Sequence, residues 1–383
     1  AGANPIRQDL PNLAEAGQMY GSIIYHKAPI MMRQLELMLG ETAFREGMQE
    51  YLSRHAGSNV TWPELISILD GKTKADLKAW SEVWVNTPGR PEFQLQHTEY
   101  GGVRLRQDDP AGSARVWPQQ FGVRPVTGPD SPVVTLRSTT SSIPWPATLP
   151  DDTAAVLFNA NGMGYGHFPA SLQLTDSWGE LEDLQKGALL VDLNENMLAR
   201  RGPQPLEYLH ALLGLLDVED NTLVLELVLD HITYVYQTLL PAAQQAVVGP
   251  RLENLLWQRL AEETDDGRAR QFFDAFTALA TSPTMLQRSY ALWTGEEVLP
   301  QVKLSEADRI RLAEILAIRL PGRAEKILAT QLAQTSNPDE RRRLAFVAPS
   351  LSADKGARDA FFASLADEKK RQTESWVVDA LRY

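Results

Sequence analysis

Residues 25–39 read Tyr-His-Lys-Ala-Pro-Ile-Met-Met-Arg-Gln-Leu-Glu-Leu-Met-Leu. Within this stretch Met31, Leu35 and Met38 recur at intervals of four and three residues. That spacing places the side chains on one face of an α-helix, so that this face can be buried against the rest of the protein. The stretch therefore predicts an amphipathic helix.

The ends of this helix carry their own signals. Pro29 favours a helix start, because a proline in the first turn removes an N–H that has no intrahelical partner there. Gly40 follows the last apolar residue, where a left-handed closing residue is expected. Tyr25 then stands just before the helix, and its phenol is a neutral hydrogen-bond donor at pH 7. Such a donor suits an oxyanion, although a lone tyrosine in this position is more often a packed ring with a satisfied hydroxyl.

Length and composition limit the classes of protein. The 383 residues are enough for two or three domains. Lys and Arg number 37 against 49 Asp and Glu, and the formal net charge of -12 argues against a nucleic-acid or membrane partner. The apolar stretch 223–240 is interrupted by Glu226, Asp230 and His231, so it predicts a buried helix. The chain contains no cysteine, which excludes disulfides and cysteine-ligated metals within it.

The periodicity of apolar residues changes twice along the chain. Residues 1–90 have helical spacing, whereas 91–170 contain short alternating runs separated by turn residues, which is typical of a small antiparallel β-domain. Within that region 154–158 is predicted to be the last strand, and the glycine-rich segment 159–166 is predicted to be a turn. Residues 171–383 are again helical, in paired segments without a strict repeat, which favours an irregular helical solenoid.

Several short motifs together resemble the M1 zinc aminopeptidases, in the part that follows the metal-binding helices of that family. They are Asn4-Pro5-Ile6, Tyr25-x-Lys27-Ala28, Leu39-Gly40-Glu41-x-x-Phe44-Arg45-x-Gly47-x-x-x-Tyr51-Leu52, Leu77-x-x-Trp80-x-x-x-Trp84 and Gly89-x-Pro91. The segment 344–381 also resembles the C-terminal helical region of bacterial M1 enzymes. The implied fold is mainly α and multidomain. It comprises the last helices of a peptidase domain (1–90), a small antiparallel β-sandwich (91–170) and a HEAT-like helical domain (171–383).

The resemblance implies one catalytic residue. In the M1 family the tyrosine of a Tyr-x-Lys-Gly-Ala segment donates a hydrogen bond to the tetrahedral intermediate, and Tyr25 occupies that place. Ala28 and Pro29 stand where the family usually has Gly-Ala. His26 and Lys27 are expected to be structural or solvent-facing, and His55 to be a charge at a helix C-terminus.

The zinc-binding part of the family pattern is missing from this sequence. A zinc peptidase needs two histidines one helical turn apart, a third carboxylate ligand and a glutamate base. No His-Glu-x-x-His occurs among the six histidines, and no Gly-x-Met-Glu-Asn segment is present to hold a substrate amine. We therefore expect no metal-binding or cofactor-binding residue in this chain, and zinc in a longer protein of which this is the C-terminal portion.

Two functions follow as alternatives. The first is part of an aminopeptidase that removes N-terminal residues from peptides, with the peptide as the substrate of the full-length protein and with this chain inactive alone. The second is a non-catalytic binding or scaffold protein built from a β-domain and a helical solenoid. The match at Tyr25 favours the first.

Overall fold

A computed structural model describes residues 4–10, 12, 21, 23–99 and 102–383. The chain forms two units, Ala1–Ala211 and Leu212–Tyr383, and the boundary falls inside one helix, Pro205–Leu215. The first unit contains the opening helices and the sheets, and the second is helical. Mainly helical structure with small antiparallel sheets confirms the predicted fold class.

In the described part of the first unit, a π-helical turn, Ile23–Lys27, runs directly into α1. The helices that follow are α1 Ala28–Leu39, α2 Glu41–Arg54, α3 Trp62–Asp70 and α4 Leu77–Ser81, and α4 continues as a π-turn, Glu82–Asn86. Gly40 ends α1 with φ 82°, in the positive-φ region that favours glycine. The helical turn begins before Tyr25 and not after it, because the Ile24 and Tyr25 amides donate to Gly21 O at 3.0 and 3.1 Å.

Local capping and apolar burial explain α3 and α4. The Glu64 carboxylate accepts hydrogen bonds from Thr61 N at 2.7 Å and from Thr61 Oγ1 at 2.8 Å. The bond from Thr61 N is one of the two that a capping box comprises. The Asp76 carboxylate accepts from Ala79 N at 2.8 Å and starts α4. Trp80 and Trp84 are 2% and 0% exposed, so both indole rings lie in the core.

Six short strands follow in the described part of the chain. They are β1 Glu92–His97, β2 Val103–Asp108, β3 Gln119–Pro125, β4 Val134–Ser138, β5 Ser142–Pro144 and β6 Val156–Leu157. They form two antiparallel sheets of three strands, in the orders β1-β2-β5 and β4-β3-β6. The core between them includes Phe93, Phe121 and Phe168, whose ring centroids lie 4.8 to 5.1 Å apart.

The last strand is shorter than the sequence predicts. A 3₁₀ turn, Thr153–Ala155, takes the first residues of the predicted strand, and only Val156–Leu157 pair with β3. The glycine-rich segment after it is a turn, as predicted. Asn159 and Gly162 have φ 49° and 65°, and the Asn159 amide exchanges two hydrogen bonds with the backbone of Gly164.

Helices complete both units. The first unit ends with a 3₁₀ segment, Leu172–Glu180, then α5 Asp183–Leu198 and the start of α6 Pro205–Leu215. The second contains α7 Thr222–Tyr234, a π-turn Val235–Leu239, α8 Ala242–Glu262, α9 Asp266–Leu279, α10 Pro283–Thr294, α11 Glu306–Arg319, α12 Ala324–Gln334, α13 Pro338–Val347, α14 Lys355–Ser364 and α15 Glu374–Arg382. Helices α8 with α9, α9 with α7 and α11 with α12 pack against each other.

The apolar stretch 223–240 is helical, as predicted. It forms most of α7 together with the following π-turn, and its buried side chains include Leu225, Val228 and Ile232. In the described part of the chain, no helix has both the length and the apolar character that crossing a bilayer requires.

Candidate active site

Tyr25 lies in the middle of the π-helical turn Ile23–Lys27. Its side chain is 60% exposed, and its amide donates to Gly21 O at 3.1 Å. The residues at the two ends of the turn face the interior, since Ile23 is 8% exposed and Lys27 is fully buried. The turn therefore buries its ends and presents the phenol of Tyr25 outward.

Lys27 provides a polar anchor beneath this turn. Its Nζ donates to Asn4 O at 3.1 Å and lies 5.8 Å from the centroid of the Tyr165 ring. Burial of the ammonium lowers the pKa of Lys27 to about 8, because the charged form loses hydration. Lys27 is expected from the sequence to be either structural or solvent-facing, and its complete burial supports a structural role.

The Tyr165 ring is itself held in place by neighbouring groups. Gln119 Nε2 donates to Tyr165 O at 3.0 Å, and Tyr165 N donates to Gln119 Oε1 at 2.8 Å. The ring lies edge-on to Trp84 at 6.2 Å. The indole Nε1 of Trp84 in turn donates to Pro118 O at 2.9 Å. These contacts join the surroundings of Lys27 to the start of β3.

A second anchor holds α1 itself against the β-domain. Gln34 is 1% exposed, and its Nε2 donates to Gln120 O at 2.7 Å and to Met163 O at 2.5 Å. Gln120 N donates back to Gln34 Oε1 at 2.8 Å, and Gln120 Nε2 donates to Leu37 O at 3.2 Å. The helix that follows Tyr25 is thus fixed to β3 and to the 159–166 turn.

These anchors have no local signal in the sequence. Nothing near Gln34 distinguishes it from the other polar residues of the helix, because its partners lie 86 and 129 residues away. Lys27 carried one usable signal, its place two residues after Tyr25 in the motif that resembles the M1 family. Nothing local in the sequence indicates that this lysine is buried.

The histidines occupy separate elements and do not form a metal site among the described residues. His55 caps the C-terminus of α2, where it packs against Tyr51 with ring centroids 5.5 Å apart. His167 Nε2 lies 3.1 Å from Glu195 O, and burial lowers its pKa. Burial also lowers the pKa of His231, to about 4. In the residues that the structure describes, no three His, Asp or Glu side chains converge in a way that could hold a metal ion. These residues therefore do not fit a zinc site by themselves.

Comparisons with known proteins connect this region to one family. Residues 1–84 match the peptidase family M1 domain. Aminopeptidase N of Streptomyces lividans is 34% identical over 116 residues, and aminopeptidase N of Escherichia coli (strain K12) is 32% identical over 114. Each of these matches covers 28% of this chain and 13% of the relative. The matched segments thus span only a small part of the length of these relatives.

A likeness of fold extends further along the chain. Aminopeptidase A of Legionella pneumophila, solved in complex with aspartic acid, superimposes with a TM-score of 0.59 at 13% sequence identity. The superposition covers 93% of this chain and 46% of that one. The domain match over residues 1–84 and the identity with both aminopeptidases N thus support the resemblance of this region to the M1 aminopeptidases.

Proposed function

We propose that this chain is the C-terminal part of a zinc-dependent M1-type aminopeptidase that removes N-terminal residues from peptides. In this proposal Tyr25 donates a hydrogen bond to the oxyanion that forms on the scissile carbonyl. The observation that carries the proposal is the placement of Tyr25. The residue lies in the matched segment 1–84, and its exposed phenol is presented by a turn with buried ends.

The chemistry assigned to Tyr25 is electrostatic. Attack of water on a peptide carbonyl moves negative charge onto the carbonyl oxygen, and a donor already aimed at that oxygen stabilises the transition state more than the ground state. Loss of one such donor typically costs about 3 to 4 kcal/mol of transition-state stabilisation. A neutral phenol can serve in this way at pH 7 without being deprotonated.

Zinc, the general base and the amine anchor have no candidates among the described residues. In this proposal they belong to a part of the full-length protein outside those residues, and zinc is required for its activity. One oxyanion donor cannot replace a metal and a base, so we propose that this chain is inactive alone. Its domains are proposed as 1–90, 91–170 and 171–383. The passages from helix to strand at 87–91 and from strand to helix at 158–171 support these boundaries.

A non-catalytic binding or scaffold protein is the second candidate. The observation in its favour is that the second unit consists of helices packed against one another, as in a helical solenoid. Zinc content separates the two candidates, because a catalytic full-length protein should contain stoichiometric zinc and lose its activity on chelation. Full-length protein that binds no zinc and cleaves no amino-acyl chromogenic substrate would favour the scaffold.

The role of Tyr25 is tested with Tyr25→Phe in the full-length, zinc-containing enzyme. Removal of the hydroxyl should lower kcat by about 10² to 10³-fold, the usual effect of losing an oxyanion donor. Tyr234→Phe is a matched control, because Tyr234 is also solvent-exposed, at 41%, and lies on α7 in the second unit. Unchanged turnover in Tyr25→Phe would remove Tyr25 from the mechanism.

A further inference from the structure

We propose that Lys27 is a positioning residue, which fixes the direction in which the Tyr25 phenol points by anchoring the opposite side of the same helical turn. The inference rests on the proposed function, because it concerns the group that is assigned to the oxyanion. It gives a specific task to a buried lysine that the catalytic scheme otherwise leaves unused.

The helical turn places Tyr25 and Lys27 on opposite sides of its axis. Residues two apart in a helix are separated by roughly half a turn, about 200° in an α-helix, so their side chains point in nearly opposite directions. The exposures agree with this geometry, since Tyr25 is 60% exposed and Lys27 is 0% exposed. Any rotation of the turn about its axis would therefore move both side chains together.

The anchor of this turn is a buried ammonium group. Burying an ammonium group is costly, and an apolar side chain of similar length would fill the same space without that cost. An apolar side chain has no directed contacts, however, whereas a lysine has three N–H donors. The contact from Lys27 Nζ to Asn4 O, at 3.1 Å, sets the rotation of the turn in a way that packing alone would not.

The partners of Lys27 are themselves fixed. The segment that contains Asn4 is held by a backbone hydrogen bond from Arg7 N to Val85 O at 3.0 Å. The Tyr165 ring, 5.8 Å from Lys27 Nζ, is held by two hydrogen bonds between its backbone and Gln119. The anchor thus connects the Tyr25 turn to two other parts of the first unit.

The first test uses this chain and needs no activity. Lys27→Met should increase backbone hydrogen exchange in 23–28 while leaving exchange in α3 and in the second unit unchanged. Lys186→Met is the matched control, because Lys186 Nζ also lies over an aromatic ring, 5.6 Å from the centroid of Trp178. If exchange in 23–28 is the same in wild type and Lys27→Met, the anchor has no effect on the turn and the inference is overturned.

A second variant covers the case in which Lys27→Met does not fold. Tyr165→Leu leaves the lysine in place but removes the ring beneath its ammonium group, so it should loosen 23–28 in the same direction and to a smaller extent. An unchanged exchange pattern in Tyr165→Leu together with an unfolded Lys27→Met would show that Lys27 serves the fold in general, and this outcome would also overturn the inference.

The second test uses the full-length, zinc-containing enzyme and a double-mutant cycle. Misplacement of a catalytic group by about 1 Å can lower turnover by about 10²-fold, so Lys27→Met should lower kcat by up to that factor with little change in KM. If Lys27 acts through the phenol, the same substitution should have almost no further effect in a Tyr25→Phe background. A merely structural lysine would lower kcat equally in both backgrounds.

The two proposals fail in distinguishable ways. Turnover that is unchanged in Tyr25→Phe contradicts the role of the phenol, and the exchange experiment still decides whether Lys27 fixes the turn. Turnover that falls in Tyr25→Phe but not in Lys27→Met leaves the proposed function standing and overturns the positioning role.

Discussion

Gln34 and Gln120 exchange two hydrogen bonds across the contact between α1 and β3. Gln34 Nε2 donates to Gln120 O at 2.7 Å, and Gln120 N donates to Gln34 Oε1 at 2.8 Å. The side-chain amide of Gln34 therefore forms hydrogen bonds with the backbone of Gln120 on β3, as a neighbouring strand would. The pair links the helix that follows Tyr25 to the sheet, so it provides a direct test of how the candidate site is supported.

Replacing Gln34 by leucine should destabilise the first unit. The substitution removes the hydrogen-bond partners that Gln34 provides to the N–H and C=O groups of Gln120, and Gln34 is only 1% exposed. Each buried polar group left without a partner costs about 1 to 3 kcal/mol. Urea denaturation should show a loss of at least about 2 kcal/mol in the free energy of unfolding. Gln94→Leu, on the exposed face of β1, is the control and should change that free energy by less than about 0.5 kcal/mol. Equal effects of the two substitutions would contradict the bridging role of Gln34.

The titration of Lys27 should make the stability of the fold depend on pH. Its pKa in the folded chain is about 8, below the ordinary value of 10.5, so between these two pH values the unfolded chain binds a proton that the folded chain does not. Stability therefore rises as the pH increases through this window. The cost of burying the charge is fully present below pH 8 and absent above 10.5.

The measurement compares wild type with Lys27→Met, so that the titration of other groups cancels. The free energy of unfolding of the wild type, minus that of the variant, should become more favourable between about pH 8 and pH 10. A difference that stays constant over this range would show that the folded and unfolded pKa values of Lys27 are alike.

The titration of Asp192 on α5 should make the stability of the fold decrease as the pH rises, the opposite of the effect of Lys27. Asp192 is 5% exposed, its Oδ2 has no hydrogen-bond partner among the described residues, and burial together with the charge of Glu195 raises the pKa of its carboxyl well above 3.8. Because the folded chain then holds a proton more tightly than the unfolded chain, this group lowers stability as the pH rises above 3.8. Asp192→Asn removes the titration. The free energy of unfolding of the variant, minus that of the wild type, should increase between pH 4 and pH 7. A difference that does not depend on pH would show that the pKa of Asp192 is not raised on folding.

Arg319 should be required for the turn between α9 and α10 in the second unit. Its guanidinium donates to the carbonyls of Thr277, Ala278 and Ala280, which lie at the C-terminal end of α9. These carbonyls have no partner within the helix, and a cation at a helix C-terminus also interacts favourably with the helix dipole.

Arg319→Met should lower the free energy of unfolding by about 2 to 4 kcal/mol, since hydrogen bonds to charged groups contribute about 1.5 to 3 kcal/mol each and water replaces some of them. Arg251→Met, at an exposed position of α8, is the matched control and should have little effect. Thermal unfolding monitored by circular dichroism compares the two variants. Similar melting temperatures for them would show that the carbonyls of α9 do not depend on Arg319.

Local signals in the sequence were sufficient for most of the elements. Apolar spacing together with Pro29 and Gly40 predicts α1, and Thr61-x-x-Glu64 is a sequence signature of a helix N-terminus at the start of α3. Such signals act within one or two turns of the chain, so they can be read without knowing what the element packs against. The helical spacing of Leu77, Trp80 and Trp84 likewise indicates one buried face, and all three residues are buried.

Contacts between residues far apart in the sequence escaped this reasoning. The anchors at the candidate site join Lys27 to Asn4 and Gln34 to Gln120, across 23 and 86 residues. The Gly21 carbonyl accepts from both Ile24 and Tyr25, which moved the start of the helix ahead of Tyr25 and placed the phenol inside a turn. Apolar residues recur with the period of a helix or strand, but polar residues follow no pattern from which such distant partners could be predicted.

The order of the helices and strands and the mainly helical class could be predicted from the sequence, because propensity, capping and apolar period are short-range properties. The choice of Tyr25 came from the resemblance of its motif to the M1 family. The burial of Lys27, the exposure of Tyr25 and the attachment of α1 to β3 arose only on folding. A lysine or a glutamine is soluble on its own, and whether it lies in water or against a distant carbonyl depends on which segments meet around it.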